Sequence, residues 1–294
     1  MSVRTANLTF ATRKVSLDLW RTLRTSPISL KLGLLIVILI ALAGIFAPQL
    51  TPYDPIEADL SSTLQPPSLA HPFGTDNFGR DLMARTLYGA RIDLQIGLIA
   101  TYVPFIYGVA LGAVAGYVGG WFDTLLMRLV DISIAFPFLV LIIFILTILG
   151  PGIKNMYIAI FLVAWSMYAR LARAEMLIIR EQEYILAARS LGYGTFRIVF
   201  RHALPNLLGP SIVFSVADVV LNILLAASLS FFGMGVQPPA PEWGAIVADG
   251  RDWLLQAWWI ATLPGIALVV TGLGFSLIGD GLAKMLGQRN THSL

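Results

Sequence analysis

Cysteine is absent from the 294-residue chain, which excludes a disulfide framework and any thiolate metal site. Charge is scarce as well. Only 13% of residues are Asp, Glu, Lys or Arg, where an ordinary soluble domain carries about a quarter. Histidine occurs three times, at His71, His202 and His292, too dispersed to suggest a local metal cage. No G-x-x-x-x-G-K-[ST] phosphate loop is present, so the chain cannot bind ATP in the usual way. H-E-x-x-H and G-x-S-x-G are missing too, so no catalytic or metal-ligating residue is assigned. The net charge of +3 is small and sorted along the chain, and nucleic acid is not an expected partner. What remains is 57% hydrophobic with a mean hydropathy of +0.77, the composition of an integral membrane protein.

Long apolar runs predict six transmembrane helices, near 30–48, 93–116, 124–149, 156–174, 207–231 and 257–280, each close to the roughly 20 residues a bilayer requires. The first run, Leu32 to Ala47, ends at Pro48 without a small-x-small cleavage site and reads as an uncleaved anchor. With the N-terminus inside, fourteen Lys and Arg fall on cytoplasmic segments (six over Arg4–Lys31, six over Arg170–Arg201, then Lys284 and Arg289). Five fall outside: Arg80, Arg85, Arg91, Lys154 and Arg251. That asymmetry places both termini in the cytoplasm. The chain then divides into a cytoplasmic N-terminal segment 1–29, a first span 30–48 and an extracytoplasmic loop 49–90. A five-span core 91–286 follows, carrying a cytoplasmic loop 175–206, and then a tail 287–294.

Prolines in the first half of the outer loop argue for an extended path, and Asp81 to Tyr88 for one short amphipathic helix. The aspartates of GTDNFGRD read either as solvated capping residues or as a contact surface. In the second span Gly108, Gly112 and Gly116 form a small-xxx-small repeat that lets a neighbouring helix approach closely, with Pro104 a kink site. Arg128 and Asp131 share a face of the third span and can pair. Asp218 lies near mid-membrane with Asn222 one turn on. A carboxylate there costs about 3 kcal/mol on insertion scales, so it should face a cavity or a partner. It could line a translocation path, pair across a subunit interface, or be protonated.

Inside this oily chain the stretch 183–206, EYILAARSLGYGTFRIVFRHALPN, is polar and must lie outside the lipid. Ile185, Ala188 and Leu191 recur at helical spacing, and Gly192 and Gly194 end that helix. Thr195 is placed to cap a second short helix, with Phe196, Val199, Phe200 and Ala203 on its greasy side. Pro205 should stop that helix at Leu204. Ala187, Ala188, Gly192, Leu204 and Pro205 fall on the spacing of the cytoplasmic loop of ABC importer permeases, which this segment resembles. Leu186 replaces the acid of the E-A-A triplet and His202 an isoleucine, the form shown by the dipeptide, oligopeptide and nickel branch. GTD-x-x-GRD and LSFFGMGVQPPAPEWGAIVADGR resemble the same branch, so the likeness covers about residues 30 to 286. Gly287-Gln288-Arg289 departs from its usual ending.

The resemblance implies an all-α type I ABC importer permease, the shorter permease of a pair, in a bacterial or archaeal cytoplasmic membrane. It implies a second homologous permease, an extracytoplasmic substrate-binding protein, and two ATPase subunits that carry the ATP and Mg; this chain binds no cofactor. The implied cargo is a dipeptide or oligopeptide, with a nickel chelate or another small solute as the alternative. Glu183, Arg189 and His202 would supply polar contacts to an ATPase, Ala187, Ala188 and Gly192 close approach, and Pro205 the start of the fifth span. One competing reading is a secondary transporter with an ion site at Asp218, but no internal repeat supports it. An intramembrane hydrolase using Asp131 and Asp218 would need two residues on different spans at different depths.

Overall fold

The computed structural model describes residues 26–291, with only the backbone described from residue 287 on. The expected N-terminal segment up to residue 25 and the side chains of the 287–294 tail lie outside the described residues. Helices dominate, and no strand longer than an isolated Thr75–Asp81 bridge occurs among the described residues. Five helices are long and apolar enough to cross a membrane, and a sharply bent pair makes six if it is counted as one span.

Helix α1 (Ile28–Ile45) is apolar on every side and buries only Leu30, Gly33 and Gly44, so it sits on the outside of the bundle. Helix α2 (Leu82–Val118) starts where the Asp81 carboxylate accepts the Ala84 N–H at 2.7 Å, and ends at Gly119 with φ +69°. The short helix expected at Asp81–Tyr88 is therefore the first turns of the second span, which runs without interruption through a buried Pro104.

The third span is not one helix. Helices α3 (Gly120–Ala135) and α4 (Phe138–Leu149) meet at 91° across Phe136-Pro137. Pro137 has no N–H to continue α3, and it forces Phe136 into an extended conformation (φ −93°, ψ 143°). Hydropathy alone runs straight across this break. The pairing expected within α3 also differs: Asp131 accepts from Arg170, on the helix that follows α4, at 2.6 Å, while Arg128 is exposed.

Helix α5 (Ile153–Ile179) packs along α2. The contact is close because Gly108, Gly112 and Gly116 lie against the backbone of Trp165, Ala169 and Arg173. A Cβ built on Gly108 would meet the Trp165 carbonyl oxygen at 2.6 Å. Helix α6 (Glu183–Ser190) precedes a turn, and a helical stretch from Thr195 then leads into α7 (Leu204–Phe231). Helix α8 (Trp243–Gly250) is wedged between α7 and α9 (Trp259–Thr291).

One expectation fails at Pro205. The helix does not stop at Leu204, because a wide π turn over Ile198–Ala203 passes directly into α7. Pro205 stands in the first turn of that new α segment, where a missing N–H leaves no bond broken. Thr195 is likewise not the cap: Gly194 holds that position and no side chain caps it.

Candidate functional site

Two regions converge on function, one at each level of the bundle. The first is the knob made by residues 183–206. Ile185 and Ala188 of α6 and Ile198, Val199 and Ala203 of the π turn are buried. They pack with Val109 of α2 and with Tyr168, Ala172 and Met176 of α5. The knob is thus fastened to the ends of two membrane helices by an apolar underside. Its opposite face is open: Leu191 and Phe196 are 71% and 77% exposed, and Glu183, Ala187, Arg189 and Pro205 are exposed beside them. The two alanines therefore part company, Ala188 underneath and Ala187 on the free face.

Gly192 turns the chain between the two halves with φ +77°, a left-handed conformation that few side-chain-bearing residues accept. A Cβ there would meet nothing within 4 Å, so turning the chain, rather than packing within it, is what the position requires. Arg197 lies over the Tyr193 ring at 4.1 Å, and that ring stacks on His202 at 5.6 Å. His202 Nε2 is buried with no hydrogen-bond partner among the described residues. Leu204 is half-buried at the start of α7. Close to the knob, Arg173 binds the Asp123 carboxylate through both Nε and Nη2, tying α5 to α3.

The second region is a cavity of about 660 Å³ at the α3–α4 break. Its walls come from that break, from α5 around Val163–Tyr168 and from α7 between Phe214 and Ser228. Asp218 and Asn222 both line it. Tyr168 O–H donates to Asp218 Oδ2 at 2.6 Å, and Asn222 Nδ2 donates to the same oxygen at 3.1 Å and to Thr101 Oγ1 at 2.9 Å. The pairing of Asp218 with Asn222 could be read from the sequence, but Tyr168, 50 positions from Asp218, and Thr101, 121 positions from Asn222, were missed and carry no local signal. No group of three potential metal ligands occurs among the described residues.

At the end of α2 away from the knob, the loop before that helix is pinned rather than solvated. Asp76 and Asp81 are 1% and 3% exposed. Asp76 binds Arg80 Nε at 2.6 Å, Asp81 takes His71 Nδ1 at 2.9 Å, and Arg85 Nη1 donates to the Pro55 carbonyl at 2.9 Å. Trp259 Nε1 donates to the Thr75 carbonyl at 3.1 Å, joining loop to α9. Glu242 caps α8 by accepting the N–H groups of Gly244 and Ala245 at 2.9 and 2.7 Å, and burial pushes its carboxyl above the ordinary range.

Comparisons with known proteins bear on the family and the fold. The family described as "binding-protein-dependent transport system inner membrane component" matches residues 108–292, and "N-terminal TM domain of oligopeptide transport permease C" matches residues 17–67. A dipeptide transport system permease protein of Alkalihalophilus pseudofirmus is 44% identical over 257 residues, 87% of this chain and 84% of that one. A probable D,D-dipeptide transport system permease protein of Escherichia coli is 40% identical over 267 residues, 91% and 89% of the two chains. Among solved structures, the inward-facing MetNI methionine ABC transporter superposes with a TM-score of 0.55 at 19% identity, covering 69% of this chain and 97% of that one. At that identity the likeness speaks for the fold.

Proposed function

The chain belongs to the binding-protein-dependent transport system inner membrane component family and is a permease subunit of an ABC importer, and from that premise we propose that it moves dipeptides or short oligopeptides into the cell. Relatives named for dipeptide, D,D-dipeptide, di/tripeptide and glutathione transport support that cargo. The proposed assembly pairs this chain with a second permease, two ATPase subunits holding ATP and Mg, and an extracytoplasmic binding protein. Its seat is the cytoplasmic membrane of a bacterium or archaeon, with both termini inside.

The observation that carries the coupling role is the two-faced knob: an apolar underside fixed to α2 and α5, and an exposed face centred on Ala187, Leu191 and Phe196. A body fastened in this way passes a push from an ATPase to the ends of the spans. Closing of the ATPase pair would open the spans outward, and hydrolysis would reverse the movement. In this reading Asp218 and Asn222 belong to the wall of the path that the movement opens and closes.

Ala187→Glu tests the coupling. Ala187 is exposed and helical, so the substitution strains nothing within the chain. ATPase subunits should co-purify more weakly and peptide uptake should fall at least about tenfold, a loss of roughly 1.4 kcal/mol in coupling, with membrane insertion unchanged. Gly192→Glu should do the same with an added backbone strain. Full uptake and full ATPase recovery in a well-expressed Ala187→Glu complex would refute the knob as the docking element.

A further inference from the structure

Resting on the peptide-import reading above, we propose that Asp218 is a subsite for a primary ammonium group, the free N-terminus of a small peptide crossing the membrane. The two oxygens of this carboxylate are held differently. Both donors, Tyr168 and Asn222, converge on Oδ2. Oδ1 accepts no hydrogen bond among the described residues and is left to the cavity that Asp218 lines. A carboxylate built only to be neutralised inside a bundle would meet a cation, yet among the described residues no Lys, Arg or His lines this cavity. Neutral donors instead fix its orientation and leave its charge uncompensated, which is the arrangement of a receptor for a cation brought in from outside.

The chemistry of the surroundings selects the kind of cation. A hard metal ion takes six or more oxygen ligands, whereas Asp218 is the one carboxylate in this wall. A primary ammonium needs fewer acceptors and donates in three directions. The Tyr168 and Phe214 rings meet edge-to-face at 5.3 Å beside the carboxylate, and Phe136 and Phe138 line the break, so aromatic faces are at hand for a cation. The remaining wall is mostly apolar, broken by the hydroxyls of Ser133, Ser166 and Ser228, and is suited to side chains of many kinds. A fixed acid in a permissive wall reads what all short peptides share, and a cavity of about 660 Å³ accommodates such a ligand.

The test uses the assembled complex of both permeases and the ATPase subunits, without the binding protein, and a reporter thiol at Leu221→Cys. Leu221 lines the cavity and is 59% exposed, and the native chain contributes no thiol background. Should that variant fail to assemble, Ser133→Cys, also on the wall, replaces it. Alanyl-alanine should slow labelling by a maleimide, and N-acetyl-alanyl-alanine should not. Adding Asp218→Asn should raise the protecting concentration of alanyl-alanine at least about tenfold, while Tyr168→Phe, which keeps the carboxylate, should retain the preference for the free amine. Equal protection by the two peptides, or unchanged protection in Asp218→Asn, overturns the proposal. Protection by sodium or nickel ions in place of the peptide overturns it in favour of an inorganic cation. Loss of the second permease from the Asp218→Asn complex overturns it in favour of an interface pair. If protection behaves as expected but cells with the native complex import no peptide, the import reading fails and the ammonium subsite stands.

Discussion

Gly112 and Gly192 both restrict what can replace them, for opposite physical reasons. At Gly112 the backbone is ordinary helix, and the obstacle is the Ala169 backbone of α5 lying against the position where a Cβ would be. At Gly192 the surroundings are empty and the obstacle is φ +77°. The two residues should therefore answer differently to substitution. Gly112→Leu must push α2 and α5 apart, an overpacking cost of about 1–3 kcal/mol or more. It should lower the thermal midpoint of the purified chain, followed by tryptophan fluorescence. Gly192→Asn should lose less than about 1 kcal/mol, because asparagine tolerates the left-handed region. A Gly112→Leu protein as stable as the parent would mean that the α2–α5 contact is looser than the geometry states. At this scale the sequence was informative where the signal was local. The Gly108–Gly116 spacing and the depth of Asp218 could be read directly, whereas the Tyr168 hydroxyl that orients Asp218 could not, because only the fold brings those helices together.

Among the elements, α8 is a short helix whose start is held by Glu242. Glu242→Ala removes the acceptor for two amide groups and should cost about 1–2 kcal/mol, the usual value for a lost N-cap. Glu242→Gln keeps one acceptor and should cost less. Burial holds the Glu242 carboxyl above its ordinary range, and burial does the same to Asp249 at the other end of α8 despite Arg85 and Arg80 nearby. A carboxyl raised in this way binds its proton more tightly in the folded chain than in the unfolded one. Its contribution is fully present below the ordinary carboxylate range and is lost as pH rises through the folded value. The thermal midpoint should therefore fall between acid and neutral pH, and Glu242→Gln should flatten that fall. An identical slope in the two proteins would contradict the assignment. Element boundaries were the less legible part of the sequence. The run 124–149 is apolar on average, and averaging hides what Pro137 does to Phe136. At Pro205 the error ran the other way: a proline read as a stop is accommodated at the first turn of α7 because the π turn before it already breaks the α pattern.

For the molecule as a whole, the decisive quantity is the distance between its two polar ends. The outer loop is fastened to the first turn of α2 through Asp81 and Arg85, and the knob packs against the far end of that helix around Val109 and Tyr117. Helix α2 has 37 residues, which at about 1.5 Å per residue gives roughly 55 Å. That exceeds the roughly 30 Å hydrocarbon core of a bilayer. Loop and knob are then expected on opposite sides of the membrane, and the positive-inside asymmetry predicts a cytoplasmic knob. The absence of cysteine makes the assignment directly measurable. Ser68 in the loop and Thr195 in the knob are both exposed, so a cysteine at either should be reactive wherever reagent can reach it. Ser68→Cys should react with an impermeant maleimide added to intact cells. Thr195→Cys should remain unlabelled until the membrane is opened, and then react at a comparable rate. Labelling of Thr195→Cys in intact cells, with Ser68→Cys protected, would invert the molecule and put the knob beyond the reach of any cytoplasmic ATPase. Labelling of both in intact cells would mean that the segment between them does not cross the bilayer as these lengths require.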